Sequence, residues 1–302
     1  MKNLFVLAAF GGVGVILLDE EGNRLWEYPV APGERLYGLD TDPAKGNIYL
    51  GVGFTKIIEI TRLGNKVWEY FHPRIQDVHS IEAIGEGTLL VTSAINNAVL
   101  KISKKQGLIS EWNFSDYFKS PEDAKDWTHL NYVEQLSDGG MLITALYSPD
   151  NKEVSEALRT DKNGAIVWRW NRDKLRSAHC LTYFRAGHYL LGESLGQRIR
   201  EIDEEGKVYS EFTDFRPYGV PHEIEVVDNN QVVVAVNAMG KEAGLPYILF
   251  IDWTSKPRKV KEIEVEGTTE LYSIKCLYEW SATPTEEEKR EIEKRLKALG
   301  YI

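Results

Sequence analysis

The sequence predicts an all-β fold, a six-bladed β-propeller. Three observations carry that reading: a recurring turn-and-aromatic phrase, one slot repeatedly filled by histidine or tyrosine, and a spacing that matches a propeller blade. The phrase first occurs as Asp19-Glu-Glu-Gly-Asn-Arg-Leu-Trp-Glu-Tyr28. It returns at 64–70, 107–112, 161–170 and 203–212, with a weaker copy lacking the glycine at 252–263. In each full copy a glycine supplies a positive-φ turn, and an alternating strand that ends on aromatics follows.

Upstream of each phrase comes a short strand, a polar turn and an apolar strand. The short strands open at Tyr37, His79, His129, His179, His222 and Tyr272. The steps between these starts are 42, 50, 50, 43 and 50 residues, room for four short strands each. The last unit supplies only its first strand, Glu270 to about Trp280. Residues 3–30 supply the remaining three, so one blade mixes both ends of the chain and the ring closes.

Residues 2–18, KNLFVLAAFGGVGVILL, superficially fit a secretory signal. The repeat assigns them instead to two buried strands of the closing blade, whose removal would leave the ring open. A cytoplasmic location with reduced thiols is then expected, export being the alternative if residues 2–18 act as a signal. Thr283-Pro-Thr-Glu286 is a capping box with proline at the first helical position, and Ile292, Leu296 and Leu299 form an apolar stripe. A short C-terminal α-helix over 283–302, packed on a propeller spanning 1–282, is expected.

Composition agrees and narrows the function. The hydrophobic fraction of 43% suffices for a large core, and the richness in glycine, tryptophan and tyrosine suits β structure with many turns. With 46 acidic against 36 basic residues the net charge is −10, which argues against nucleic-acid or anionic-membrane partners. Cys180 and Cys276 cannot form a disulfide framework, and no zinc-type Cys/His spacing exists. Cys180 follows His179 directly, so strand alternation turns it into the blade as a small buried hydrophobe.

Of the six histidines, four share the slot that opens a blade's innermost strand. Residues in one repeat slot sit at one depth, so Tyr37, His79, His129, His179, His222 and Tyr272 should ring one mouth of the central channel. His72 and His188 fall outside the slot and are expected on the solvated surface. Three roles for the ring stay open. It can simply hold channel water. It can bind a divalent metal on His79, His129, His179 and His222, although blade spacing opposes convergence near 2 Å. Or it can act on a small aromatic or anionic substrate, one imidazole serving as nucleophile or acid/base. A non-catalytic propeller that binds a ligand or partner protein is the alternative to an enzyme. Trp26, Trp68, Trp112, Trp168 and Tyr209 occupy repeat positions and are expected to pack between blades. Glu193 and Asn237 are expected as solvated loop residues.

Asp126-Trp-Thr-His-Leu-Asn131 followed by Ser137-Asp-Gly-Gly, the Gly-x-x-x-Trp-Glu strands and histidines on successive blades resemble the arylsulfate sulfotransferases. These are six-bladed propellers that use no nucleotide donor, and the resemblance covers about residues 3–280. It implies transfer of a sulfuryl group from an aryl sulfate to a phenolic acceptor through a channel histidine, without a cofactor. It also implies His222 as nucleophile, His179 as its partner, His129 as a sulfate contact and Arg198 as the sulfate-binding arginine. On the residues alone, Arg198 can equally be a strand residue paired with Glu201 or Asp203. Trp127, Tyr147, Tyr37 and Tyr272 are the candidates for an aromatic wall.

Overall fold

A computed structural model describes residues 4–11, 14–31, 34–42, 44–114, 117, 129–148, 154–170, 175–239, 244–268, 270–278 and 290. The expected C-terminal helix and Trp127 lie outside the described residues, apart from Arg290.

Six antiparallel four-stranded sheets form the blades, five of them in sequential order from the innermost strand outward. The first blade holds β4 (Leu36–Thr41), β5 (Ile48–Val52), β6 (Lys56–Ile60) and β7 (Lys66–Phe71). The second holds β8 (Ile81–Gly85), β9 (Thr88–Ser93), β10 (Ala98–Ser103) and β11 (Gly107–Asn113). In the third are β12 (Leu130–Gln135), β13 (Met141–Ala145), β14 (Glu156–Thr160) and β15 (Ile166–Trp170). The fourth contains β16 (Ala178–Arg185), β17 (His188–Glu193), β18 (Arg198–Asp203) and β19 (Val208–Phe212). The fifth contains β20 (Gly219–Val226), β21 (Gln231–Ala238), β22 (Tyr247–Asp252) and β23 (Arg258–Glu264). In the sixth, β24 (Leu271–Leu277) lies innermost and pairs with β1 (Phe5–Phe10), followed by β2 (Gly14–Leu18) and β3 (Arg24–Pro29). Ala8 faces Ile274 across that junction, so the two ends of the chain share one sheet, as the repeat requires.

Middle strands are buried on both faces, because each blade packs against two neighbours. In β21, Val232, Val234 and Val236 enter the core shared with the fourth blade, while Val233 and Ala235 enter the core shared with the sixth. Strand alternation thus turns one apolar run into two interfaces, and six such inter-blade cores hold the ring. The outermost strands alternate between exposed and half-buried positions, as β3 and β7 do.

The repeated phrase contributes at two points. Its aspartate caps the turn: Asp161 Oδ1 accepts the Asn163 and Ala165 amides at 2.8 and 2.9 Å. Its glycine also receives an aromatic from the preceding blade. A Cβ on Gly164 (φ +86°) would lie 2.1 Å from Trp112 Cδ1. Trp26, Trp68, Trp112 and Trp168 pack as expected against the blade cores. Tyr209 is exposed; its ring sits 4.3 Å from that of His188.

Along the channel, carboxylates stitch blade to blade. The inner edge of each innermost strand has no further strand to pair with, and its amides need acceptors. Asp40 accepts the Ala83 amide at 2.7 Å, Glu82 the Gln135 amide at 2.6 Å, and Glu134 the Tyr183 amide at 3.1 Å. Glu223 accepts the Ile274 amide at 2.8 Å. Lys275 joins the sixth blade to its neighbours, 3.1 Å from Asp40 and 3.2 Å from Glu225. These groups line a cavity of about 340 Å³.

Candidate functional site

The six slot residues converge on one level of the channel. Ring centroids are 4.6 Å apart for Tyr37–Tyr272, 5.1 Å for Tyr37–His79 and 4.2 Å for His79–His129. The other side gives 4.1 Å for His179–His222 and 5.3 Å for His222–Tyr272. Tyr37, His179, His222 and Tyr272 sit on innermost strands, whereas His79 and His129 stand in the segments just before β8 and β12. Below the ring lies a gap of about 10 Å³, roughly room for one water, lined also by Asn131, Tyr132 and Glu223. Asn131 is buried and donates from Nδ2 to the Ala178 carbonyl at 2.9 Å, while its Oδ1 has no hydrogen-bond partner in the structure.

The ring has two chemically different halves. On one side His179 Nδ1 lies 3.1 Å from the Ser177 carbonyl and 2.9 Å from Ser194 Oγ. The Ser194 hydroxyl in turn donates to the Pro221 carbonyl. Because Ser194 spends its proton there, His179 carries its own proton on Nδ1 and leaves the Nε2 lone pair available. Burial pushes the His179 pKa down to about 4, aided by the His79 and His129 charges and opposed by the Ser177 bond. His222 is held well below the ordinary imidazole value, first by burial and then by its histidine neighbours, against a hydrogen bond to the Tyr272 backbone. Both imidazoles are therefore neutral near pH 7, the form in which histidine is a nucleophile.

On the opposite side Asp77 Oδ2 stands 3.2 Å from His79 Nε2 and 3.8 Å from His129 Nδ1. Burial works to raise the Asp77 pKa, but the His79 hydrogen bond and the two histidine charges outweigh it and hold the carboxyl low. This half is an acid facing two bases, where the other half is two neutral bases.

Asp77, Ser177 and Ser194 were not singled out in the sequence. Two of them obey a rule the repeat contains: the residue two before the slot touches the slot side chain. Asp77 does so for His79 and Ser177 for His179, and Arg35 donates to the Tyr37 hydroxyl at 3.2 Å. Glu270 likewise bonds the Tyr272 hydroxyl, whose pKa is pushed up first by burial and then by that carboxylate.

Other sequence candidates lie outside the ring. Arg198 opens β18 and grips Glu193 with both ends of its fork, at 2.7 and 2.8 Å, rather than Glu201 or Asp203. No lysine or arginine is among the described residues lining the gap below the ring. Glu193 and Asn237, expected in solvent, are buried: Glu193 holds Arg198, and Asn237 Oδ1 accepts the Leu271 amide. His188 is half-buried and bonded to Glu201 at 2.7 Å. His72 accepts the Arg74 amide at 3.1 Å. Cys180 is fully buried in the core between the fourth and fifth blades. Tyr147 is half-buried and does not line the gap.

Comparison with known proteins adds a family. The family model described as Arylsulfotransferase (ASST) matches residues 143–246. That stretch contains His179, Ser194, Arg198 and His222 and leaves Asp77, His79 and His129 outside. No curated protein matches the chain. Among solved structures, a protein of unknown function from Bacteroides caccae superposes with a TM-score of 0.71 at 14% identity, covering 92% of this chain and all of that one. A chain of a nidogen/laminin complex gives 0.68 at 12% identity, covering 90% and 98%. Virginiamycin B lyase from Staphylococcus aureus gives 0.55 at 17% identity, covering 85% and 79%. At these identities the likenesses show the propeller fold alone. The family match and the six-bladed ring together support the arylsulfotransferase family.

Proposed function

We propose, on the premise that this six-bladed propeller is an arylsulfotransferase-family chain, that it transfers a sulfuryl group from an aryl sulfate to a phenolic acceptor through His222. The observation that carries the reading is the neutral His179–His222 pair inside the stretch matched by the family. In the first step the His222 lone pair attacks sulfur and the S–O bond to the aryl group breaks, its electrons leaving with the phenolate. The ring nitrogen that took the sulfuryl group makes the imidazole cationic, and the hydrogen bond to the Tyr272 backbone favours that charge. In the second step the acceptor oxygen attacks sulfur and the N–S bond breaks with its electrons returning to His222. The acceptor's proton passes to His179 and on to solvent, balancing the proton that the phenolate released in the first step takes up. His179, fixed by Ser177 and Ser194, is the base beside the nucleophile.

His129 fits a contact to the sulfate oxygens across the ring. Arg35, at the same mouth, is a cation near Tyr37 that can meet an arriving anion against the net charge of −10. Under this reading Arg198 acts through Glu193, whose carboxylate also accepts the Arg176 amide at 3.2 Å beside the His179 strand. The substrate has to approach from the mouth, since the gap beneath the ring holds little more than a water.

The test is turnover of a chromogenic aryl sulfate with a phenol acceptor, by wild type and by His222→Ala. Release that depends on acceptor and is abolished in the variant is expected. No turnover across several donors would sink the enzyme reading, and binding of the donor without turnover would leave a ligand-binding propeller.

A further inference from the structure

We propose that Asp77, His79 and His129 form a binding site for one divalent transition-metal ion, of the zinc and iron(II) class. The inference does not rest on sulfuryl transfer. It begins with geometry. Their ligating atoms all lie within 4.8 Å of one another, with Asp77 Oδ2 3.2 Å from His79 Nε2 and 3.8 Å from His129 Nδ1. Ligands about 2.0–2.2 Å from a metal stand roughly 3.0–3.6 Å apart, so small ring rotations complete the set. The His79 and His129 ring centroids are 4.2 Å apart, with the rings edge to face at 66°.

A second observation also favours a cation at this carboxylate. Asp77 is 7% exposed, and its Oδ1 is buried with no hydrogen-bond partner in the structure. A buried carboxylate oxygen left without a donor is costly, and a bound ion removes that cost. The backbone that carries the carboxylate is also held in place. The Asp77 amide donates to Phe54 O at 2.7 Å, and its carbonyl accepts the Ala94 amide at 3.1 Å. Asp77 and His129 both adopt left-handed backbone conformations, φ +57° and +48°, which fix where their side chains project. Thr92 Oγ1 accepts the amides of both His79 and Ser80, fixing the segment between.

Two imidazoles and one carboxylate are a borderline donor set suited to zinc, cobalt or iron(II) rather than calcium or magnesium. Three protein ligands leave open positions toward the mouth, where an anionic oxygen can bind the ion. The four-histidine alternative is not favoured, because among the described residues only Asp77, His79 and His129 bring their ligating atoms within 4.8 Å of one another.

The probe is Co²⁺ alone, titrated into chelator-stripped protein and followed by visible d–d absorption, with Zn²⁺ as competitor. One equivalent of Co²⁺ displaced by Zn²⁺ is expected. Asp77→Asn and His129→Gln should each weaken binding by at least about 100-fold, while His222→Gln retains it. Circular dichroism and thermal melts of each variant confirm folding. Absence of stoichiometric Co²⁺ binding overturns the site, as does wild-type affinity in a folded Asp77→Asn or His129→Gln. Equal loss in His179→Gln and His222→Gln overturns the three-residue assignment in favour of the whole ring. None of these readouts uses sulfuryl transfer, so each proposal can fail alone.

Discussion

The imidazoles of His179 and His222 stand 4.1 Å apart on neighbouring blades, and each gives a ring nitrogen to backbone. The pair exists because two repeats place one residue type at one depth, and its neutrality follows from burial between blades.

If turnover depends on that neutral pair, activity should be insensitive to pH where free histidine titrates. With a depressed folded pKa, His179 takes up a proton only near pH 4. The expected profile of kcat/KM is flat from neutral pH down to about 5 and falls below that. An acid limb centred on the ordinary imidazole value of 6.5 would contradict it.

The carboxylates lower in the channel predict an unusual stability profile. Burial and neighbouring acids push Glu82 and Glu223 up to about 8, from a usual 4.5. The fold favours their neutral forms, so that contribution is complete below about 4.5 and is lost as pH rises through about 8. Melting temperature should fall between pH 5 and pH 8.5, and Glu223→Gln should flatten the fall while keeping an acceptor for Ile274. A gain on the order of 1 kcal/mol, roughly 2–4 °C, is expected for the variant at the alkaline end only. Parallel profiles for the two proteins would count against this account.

Gly164 and Gly187 separate backbone strain from steric conflict. Both have positive φ, +86° and +74°, but only a Cβ on Gly164 would strike Trp112. Gly187→Ala is expected to cost about 1 kcal/mol and Gly164→Ala at least about 2 kcal/mol in urea unfolding. Equal midpoints would show that the aromatic simply moves aside.

Removing the Arg198 fork leaves Glu193 buried, with Arg200 at 3.4 Å as its remaining cation among the described residues. Arg198→Ala should therefore lower stability by about 2–4 kcal/mol. Loss of transfer activity with a wild-type unfolding midpoint would instead place this arginine on the substrate.

Much of this was legible because a propeller writes its architecture as a period. The slot shared by Tyr37, four histidines and Tyr272 marked every innermost strand, and the Asp-x-x-Gly phrase marked the last turns. The carboxylate stitches were not legible. Asp40, Glu82, Glu134 and Glu223 sit on alternating strands, a pattern that ordinarily means a solvated face. Their partners lie one blade away, at Ala83, Gln135, Tyr183 and Ile274. The partner of Arg198 was missed for a similar reason. Glu193 ends the adjacent strand, and pairing across a register is invisible without the sheet. Asp77 was within reach, since it repeats the two-residue offset of Ser177 and Arg35 from their own slots.

The shared sixth blade sets a timetable for biosynthesis. β1 and β2 leave the ribosome first, yet the strand that covers the inner edge of β1 ends at Leu277. At common elongation rates that edge waits roughly 10–50 s, an apolar ribbon without its neighbour. The nascent chain can assemble its middle blades in turn, but the first strands made are among the last to be secured. The apolar stretch around residues 5–18 is therefore where a chaperone has most to shield.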